Sequence, residues 1–480
     1  MKDLLLIILP LAGAALAAVW RGDRTRPWLM PVIGLAHVAL SFALLFDPPV
    51  VAPGAWLGFD PLARAVLPAV SLLFLFCALY GVSYLRVRPE RSNRVFVALF
   101  LTILGLLSAG HMARHLGLLW NATEGVTLAA IPLLHFNGTP RAFEATWKYL
   151  LVGGTGIALS LLGSFCLGYA SLHGGGSGDL TFTALVGQGA ALTRPWALTA
   201  WVLLLVGYGT KMGLAPMHTW KPDAYGEAPG IVGAMLAGGV TTVAFTAILR
   251  VRAVVEAAGS GGIADRTLMV IGLFSVLVAA LFLLGTRDFK RMLAYSSVEH
   301  MGILSLAAAL GGAGLWAALF HVWGNSITKG ALFLSAGNIR RAAGARTMDE
   351  VGGMYSLTPR SAGMFVAGMF AVTALPPFAP FFSELRIIRA SFSSGHGVAG
   401  TVFLTGLLLA FFGLTRVVFA IVDGRPRTAS KVGGKRFPET AGVVLPPLAL
   451  LALSLWLGLA TPDVLREAWT AAVAQIHSAP

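Results

Sequence analysis

The stretch WVLLLVGYGTKMGLAPMHTW, residues 201–220, decides how this chain has to fold. It is long and apolar enough to cross a bilayer as a helix, yet Lys211 stands at its middle and Pro216 follows shortly after. A second stretch, HLGLLWNATEGVTLAAIPLL at 115–134, has Glu124 at its middle. A charge at the centre of a membrane helix costs about 2.5–3.5 kcal/mol, so such residues indicate an ion pair, a hydrated cavity or a path for charge.

The composition of the whole chain agrees with these two stretches. Its 480 residues are 56% hydrophobic and only 12% charged, and the mean hydropathy is +0.78. A soluble domain carries about 25% charged residues, so we predict an all-α polytopic membrane protein. Apolar runs predict about fourteen transmembrane helices. They lie at roughly 3–20, 28–46, 64–85, 95–112, 115–134, 147–171, 195–220, 231–250, 266–285, 292–311, 313–338, 358–388, 397–423 and 441–460.

The net charge of +14 follows from basic residues in alternate loops. The basic loops are 21–26, 86–94, 287–291, 340–346 and 424–436, whereas 47–63, 172–194 and the turn near 312 have almost none. Positive residues favour the cytoplasmic side, so the pattern places both termini outside a bacterial or archaeal cell membrane. The charge therefore indicates orientation and contact with the lipid bilayer rather than binding to nucleic acid.

The intramembrane charges also suggest an internal repeat. Glu299 follows Glu124 by 175 residues, and Glu384 follows Lys211 by 173. A block of five predicted helices, numbers 4–8, would then recur as helices 9–13, and an odd number inverts the second copy. We expect four segments: N-terminal helices 1–3 in 1–94, the first repeat in 95–250, the inverted repeat in 266–423, and the last helix with its tail in 441–480.

Prolines predict that one helix in each repeat is broken. Pro216 follows Lys211 in predicted helix 7, and Pro376, Pro377 and Pro380 precede Glu384 in predicted helix 12. Proline removes a backbone donor and bends a helix, and such irregular backbone is tolerated inside a membrane where it lines protein or water.

No motif for a cofactor is present in the sequence. It contains no Cys-x-x-Cys set, no Gly-rich nucleotide fingerprint and no histidine pair at haem-like spacing, and Cys77 and Cys166 fall inside predicted helices. We therefore expect no catalytic residue, metal or cofactor site of its own, and any coupled electron transfer would occur in another subunit.

Four longer motifs resemble one known family. They are KMGLAPMHTWKPDAYGEAPG (211–230), RDFKRMLAYSSVEHMG (287–302), KGALFLSAGNI (329–339) and ALPPFAPFFSE (374–384). They resemble the antiporter-like membrane subunits of respiratory complex I, of Mrp cation/proton antiporters and of membrane-bound group 4 hydrogenases. The segment LGLLWNATE (116–124) is most similar to the hydrogenase-4 component F branch.

The resemblance implies a proton pathway through buried charged residues and water. It assigns the main positions to Glu124, Lys211, Lys329 and Glu384, with the first two forming a pair that approaches and separates. The further polar positions that it implies are Lys148, His218, Glu299 and His300, with Asp223 and Glu227 in a cytoplasmic loop that either caps a helix or takes up protons.

Several of these positions also have simpler explanations. Glu299 and His300 are adjacent and so face different sides of a helix, and we favour Glu299 for the central axis. Glu124 with Lys211 could be a static pair, and Glu384 a solvated helix end. Four further histidines read as packing or interfacial residues, namely His37, His111, His115 and His321.

The chain also departs from the family pattern at two positions. Gly324, Asn325 and Ser326 stand where the family often has Asn-His-Ala, and Thr242 stands where some members have a lysine.

Three functions follow from these observations. The first is a proton-pumping, non-catalytic subunit of a redox-driven hydrogenase or complex I-like assembly, with membrane subunits as neighbours and peripheral redox subunits as indirect partners. The second is a subunit of a Mrp-type cation/proton antiporter. The third is a non-pumping membrane platform for a catalytic arm, which five intramembrane charges disfavour.

Overall fold

The computed structural model describes residues 2–88, 91–424 and 438–477, and the fold in these ranges is all-helical. Most of the basic 424–436 loop lies outside the described residues. The helices are α1 Leu5–Val19, α2 Leu29–Phe46, α3 Pro61–Arg86, α4 Arg94–Met112, α5 Leu116–Leu134, α6 Pro140–His173, α7 Phe182–Gly187, α8 Arg194–Met212, α9 Lys221–Glu227, α10 Gly230–Met235, α11 Thr241–Ala257, α12 Gly261–Gly285, α13 Phe289–Ala309, α14 Gly312–Ala343, α15 Met354–Leu357, α16 Pro359–Val372, α17 Ala379–Ser393, α18 Gly397–Val422, α19 Ala441–Leu459 and α20 Asp463–His477.

Eight helical segments within these ranges are long and apolar enough to cross a membrane. They are Arg26–Phe46, Pro61–Arg86, Arg94–Met112, Pro140–His173, Gly230–Ala257, Gly261–Gly285, Gly397–Val422 and Ala441–Leu459. On α12 and α18, large apolar side chains such as Phe274, Leu281, Leu408 and Phe412 are exposed. Exposed apolar faces of this kind suit contact with lipid tails, so the chain is a polytopic membrane protein.

Helix α14 forms the centre of the bundle. It packs against α3, α10, α13, α16, α17 and α19, and it is buried along most of its length. Small residues such as Gly324 and Gly330 allow close contact, since a Cβ on Gly324 would lie 3.2 Å from the Pro380 backbone nitrogen. The position of α14 places Lys329 deep inside the protein.

Both predicted helix breaks occur in the structure. Helix α8 ends at Met212 and α9 begins only at Lys221, with Pro216 in the connection. Helix α16 ends at Val372 and α17 begins at Ala379, and Ala374 between them has a φ of 53°, a strained value for an L-residue. The segment 223–227, which we expected to be a loop, is the end of helix α9 instead.

A further helix, α20, was not predicted from the sequence. It packs against α3 and α14, and Trp469 on it stacks on Phe320 with ring centroids 5.1 Å apart. The helix is amphipathic and too short to span the bilayer, which explains why a search for apolar runs of twenty residues did not find it.

Candidate functional site

Lys211 and Glu124 form the first charged pair, in which the lysine is buried and the glutamate is partly exposed. Lys211 closes the last turn of α8 and is 1% exposed, and its Nζ lies 3.7 Å from Glu124 Oε2 on α5. The ammonium also donates to Thr127 Oγ1 at 2.6 Å, one turn further along α5. Burial disfavours the charged form of any side chain and an adjacent opposite charge favours it, so the separation of this pair controls where the charge is stable.

A second lysine donates a hydrogen bond to a backbone carbonyl group that the helix break beside this pair leaves free. Lys221 is fully buried at the start of α9, and its Nζ donates to the Met212 carbonyl oxygen at 2.7 Å. Trp220 Nε1 donates to the Thr210 carbonyl oxygen at 2.9 Å. Carbonyl groups freed at the end of α8 thus gain partners, which an unpaired buried backbone requires. Lys221 belongs to the motif at 211–230, but the sequence alone predicted no role for it.

Lys329 is the centre of a second buried group. Its Nζ donates to Ser296 Oγ on α13 at 2.6 Å, and Glu299 and Glu384 are the carboxylates that act on it electrostatically. Ser296 and Glu299 are three residues apart on α13, as Glu124 and Thr127 are on α5. Each buried ammonium therefore meets one hydroxyl and the field of a carboxylate that share one face of a neighbouring helix.

A chain of hydrogen bonds extends from this group towards α17. His300 Nδ1 lies 2.8 Å from His321 Nε2, and His321 Nδ1 lies 2.8 Å from Ser383 Oγ, next to Glu384. We expected His321 to be a packing residue, and we expected only one of Glu299 and His300 near the centre. In the structure all three are buried near the same group, because α13 packs on α14 and Glu299 lines one cavity with Thr373 at the α16–α17 break.

A cavity adjoins the second group at the helix break. It has a volume of about 170 Å³ and is lined by Glu299, Glu384 and Thr373 together with apolar side chains such as Phe381 and Phe411. This volume has room for several water molecules. Glu384 is 2% exposed, so it is a buried acid and not the solvated helix end that remained open from the sequence.

One group of side chains in the described ranges could hold a metal ion. His300, His321 and Glu384 each offer one ligand atom, and these atoms lie within 4.8 Å of one another. The two imidazole rings, however, direct nitrogens at each other at 2.8 Å. Nitrogens hydrogen-bonded to each other cannot both direct those lone pairs at one ion, so this geometry favours proton transfer over metal binding.

Three sequence-predicted residues lie apart from both buried groups. Lys148 is half-exposed and its Nζ pairs with Glu144 at 2.6 Å and with Asp223 at 2.8 Å. Glu227 pairs with Arg346 and, at 3.3 Å, with Arg340. These ion pairs connect α6, α9 and α14 with the segment after α14 at one end of the bundle.

Arg346 links two acidic side chains in this network of ion pairs. Its Nε lies 2.8 Å from Asp288 Oδ2, and its NH1 pairs with Glu227. Partial burial opposes the charge of Arg346, but Asp288 and Glu227 outweigh it and raise the pKa of the guanidinium above its usual value. The network is thus a fixed set of charges, and Asp223 and Glu227 hold helix ends together there.

His218 lies in the α8–α9 connection, between the buried groups and that network. It is 7% exposed, and its ring faces the aromatic rings of Phe282 and Tyr295. Its Nδ1 has no hydrogen-bond partner among the described residues.

Comparison with known proteins identifies the family. Residues 113–410 match the transmembrane family described as NADH:quinone oxidoreductase/Mrp antiporter. The chain belongs to this family. The matched range contains both buried groups and both helix breaks, so the antiporter-like subunit carries its intramembrane charges in the part that defines the family.

Two relatives and one solved structure are similar to this antiporter-like subunit over nearly its full length. It is 32% identical to a hydrogenase-4 component F homolog of Methylacidiphilum infernorum, over 92% of this chain and 96% of the relative. It is 30% identical to NADH-quinone oxidoreductase subunit N of Desulforudis audaxviator, over 93% and 87% respectively. A chain of the Mrp complex from Dietzia sp. DQ12-45-1b has the same fold, with a TM-score of 0.87, 21% identity and coverage of 99% of this chain and 97% of that chain.

Proposed function

We propose that this chain is a proton-translocating subunit of a redox-driven membrane complex, either a membrane-bound hydrogenase or a complex I-like oxidoreductase. It would have no redox centre of its own and would lie in a bacterial or archaeal cell membrane beside other membrane subunits, with peripheral redox subunits reached indirectly. Its relatives include a hydrogenase-4 component F homolog and an NADH-quinone oxidoreductase subunit N, which supports this proposal.

The observation that carries the proposal is the paired arrangement of Lys211 and Lys329. Each ammonium is at most 1% exposed and each donates to a hydroxyl at 2.6 Å. A single hydroxyl does not neutralise a buried ammonium. The charge of each lysine is therefore stabilised by carboxylates on neighbouring helices that lie beyond hydrogen-bond distance. Such a site can exist with or without its proton, which a relay requires and a static anchor does not.

The proton chain that we propose joins these groups through water. It runs from Glu124 and Lys211 to Lys329, and then through Glu299 and the His300–His321–Ser383 hydrogen bonds to Glu384. Asn325 lies one turn before Lys329, and neither its side-chain nitrogen nor its oxygen has a partner among the described residues. Buried amides without a protein partner are normally hydrogen-bonded to water, so we infer that water beside Asn325 makes the link at the position where family members often have a histidine.

The architecture that we propose for transport has fourteen spans and two inverted repeats. Segments 95–250 and 266–423 would each supply a half-channel, with segments 1–94 and 441–480 at their side and both termini external. The breaks after Lys211 and before Glu384 support this division, because each places irregular backbone beside a buried charge.

Purification of the assembly from native membranes tests the proposal against its alternatives. Nickel-iron hydrogenase or quinone-reductase subunits in the purified complex support redox-driven pumping, whereas a set of small antiporter subunits supports a Mrp-type cation/proton antiporter. The antiporter remains the second candidate function because a chain of the Mrp complex has the same fold as this chain over nearly its full length. Proton uptake into vesicles that requires Na⁺ and no redox substrate would exclude the first candidate, and a complex that moves no ion would leave only the structural platform.

A further inference from the structure

A second polar path lies outside the proton chain proposed above, although one of its residues, Thr242, stands where some family members have a lysine. Helix α11 carries Thr242, Thr246 and Arg250 at intervals of four residues, so the three side chains form a stripe along one face. All three are buried, at no more than 4% exposure. A buried stripe of polar groups in a membrane bundle is costly and therefore needs a reason.

His111 on α4 joins the first two members of this stripe. It is fully buried, its Nε2 lies 3.0 Å from Thr242 Oγ1, and its Nδ1 lies 3.4 Å from Thr246 Oγ1. The Thr242 hydroxyl donates to the Gly239 carbonyl oxygen at 2.6 Å, so it accepts from Nε2–H. This hydrogen-bond pattern assigns the neutral ring a proton on Nε2 and a free acceptor at Nδ1.

The same surroundings also accommodate a second proton on the ring. The Thr246 hydroxyl has an alternative acceptor, the Val243 carbonyl oxygen at 3.0 Å. When Nδ1 takes a proton, that hydroxyl can donate to Val243 and accept from Nδ1–H. Loss of either proton returns a neutral ring, so a proton can leave on the side opposite to the one on which it arrived.

One end of the stripe reaches a cavity. Arg250 forms a bidentate pair with Asp60, at 2.6 and 3.0 Å, and also donates to the His111 carbonyl oxygen at 3.0 Å. Gln475 on α20 donates to Asp60 at 2.9 Å. Arg250 and Gln475 both line a cavity of about 310 Å³ together with Arg114, at the end of the bundle where α4 ends and α3 begins.

The other end of the stripe reaches the centre of the protein. Thr242 bonds to the carbonyl of Gly239, and Ser326 on α14 donates to the carbonyl of Gly238 at 2.8 Å. These carbonyls belong to a π-helical segment, Leu236–Val240, between α10 and α11. Ser326 is adjacent to Asn325 and three residues before Lys329, so the stripe ends beside the central buried group. π-Helical turns often mark functional sites.

We propose that His111 transfers protons between water at the centre of the protein and water in the cavity at Arg250 and Gln475. In each transfer one proton from water binds one ring nitrogen and the opposite nitrogen releases one proton to water. A flip of the ring then returns the protonated nitrogen to its starting side, and the two hydroxyls reorient to restore the hydrogen bonds. The charged groups that face the ring are Arg250 on α11, which opposes a charge on it, and Asp60 before α3, which favours one. Burial also opposes the charge, so the protonated ring is a short-lived intermediate in the transfer. This inference rests on the proposed proton translocation.

The test measures proton uptake into vesicles that contain the whole assembled complex. His111→Gln keeps one hydrogen bond but cannot take up a proton, and we expect at least a tenfold lower rate with the complex intact. His37→Gln is the matched control, because His37 is equally buried and lies 2.9 Å from the hydroxyls of both Ser71 and Ser108. We expect this control to stay within twofold of the unsubstituted protein.

Thr246→Val provides a second variant if His111→Gln does not assemble. It should be at least threefold slower, whereas Thr102→Val, which removes a hydroxyl that bonds only to its own helix at 3.0 Å, should match the unsubstituted protein.

Three results would overturn the inference. They are normal uptake in His111→Gln, equal losses in the two histidine variants, and, where His111→Gln does not assemble, normal uptake in Thr246→Val. Lys329→Met in the same vesicles shows which claim has failed. If Lys329→Met stops uptake and His111→Gln does not, only the His111 path is wrong, whereas normal uptake in Lys329→Met removes the proposed function itself.

Discussion

Glu124→Gln is the most quantitative test of the first charged pair. The substitution keeps the shape of the side chain and removes only its charge. At the Nζ–Oε2 distance of 3.7 Å, the attraction is about 4.5 kcal/mol at an effective dielectric constant of 20 and about 1 kcal/mol in bulk water. Glu124 is 21% exposed, so the loss lies between these limits. The Thr127 hydrogen bond to Lys211 remains and limits the damage.

The expected result is a partial defect. A loss of 1.4 kcal/mol changes an equilibrium tenfold, so the charged form of Lys211 becomes about tenfold to a thousandfold less favoured relative to the neutral form. We expect proton uptake by the assembled complex to fall about tenfold at neutral pH while the complex still assembles. The assay is uptake into vesicles, normalised to the amount of complex.

Glu144→Gln is the matched control for this measurement. Glu144 also pairs with a lysine, Lys148, at 2.6 Å, but both side chains are largely exposed. Exposed pairs contribute about 0–1 kcal/mol, so this variant should pump normally. Equal rates for Glu124→Gln and Glu144→Gln would refute the reasoning, because burial would then give the Glu124 pair no special role.

Three further outcomes follow from the same geometry. Glu384→Gln should impair proton uptake and Glu384→Asp should retain part of it; normal uptake in the Gln variant would remove this acid from the pathway. Ser383→Ala should slow uptake severalfold, because it removes the hydroxyl 2.8 Å from His321 Nδ1, and an unchanged rate would show that this hydrogen bond carries no protons. Single cysteines in the 424–436 and 172–194 loops should react with an impermeant thiol reagent only in the 172–194 loop of intact cells, and the opposite pattern would invert the proposed orientation.

The sequence predicted much of the fold because apolar runs and prolines act locally. The break after Lys211 was predictable from Pro216, and the break before Glu384 from three prolines. The amphipathic helix α20 was missed because its stability depends on packing of Trp469 against α14, which no local pattern reports. The family motifs also identified the intramembrane charges that form the two buried groups.

The sequence could not predict which side chains meet across helices. His300 and His321 are 21 residues apart on different helices, and only the packing of α13 on α14 brings His300 Nδ1 within 2.8 Å of His321 Nε2. From the sequence, Lys221 was only one of several polar residues in a motif. Its hydrogen bond to the Met212 carbonyl oxygen depends on how the chain turns between α8 and α9, which the sequence does not show. The sequence also did not show that Lys148 is half-exposed and pairs with Asp223 away from the two buried lysines. A hydroxyl three residues from an intramembrane glutamate, as Thr127 and Ser296 are, was a sequence signal that could have predicted the hydrogen-bond partners of the two lysines.

The most direct test of proton transport through this chain compares Lys211→Met with Lys148→Met. Both substitutions replace a lysine in a predicted span by an apolar residue of similar length, but Lys211 is 1% exposed beside Glu124 and Lys148 is 45% exposed in a surface network. The measurement is proton uptake by vesicles that contain the assembled complex, driven by its own redox reaction or ion gradient. We predict that Lys211→Met abolishes uptake without loss of assembly and that Lys148→Met stays within twofold of the unsubstituted protein. Normal uptake in an assembled Lys211→Met complex would contradict the account.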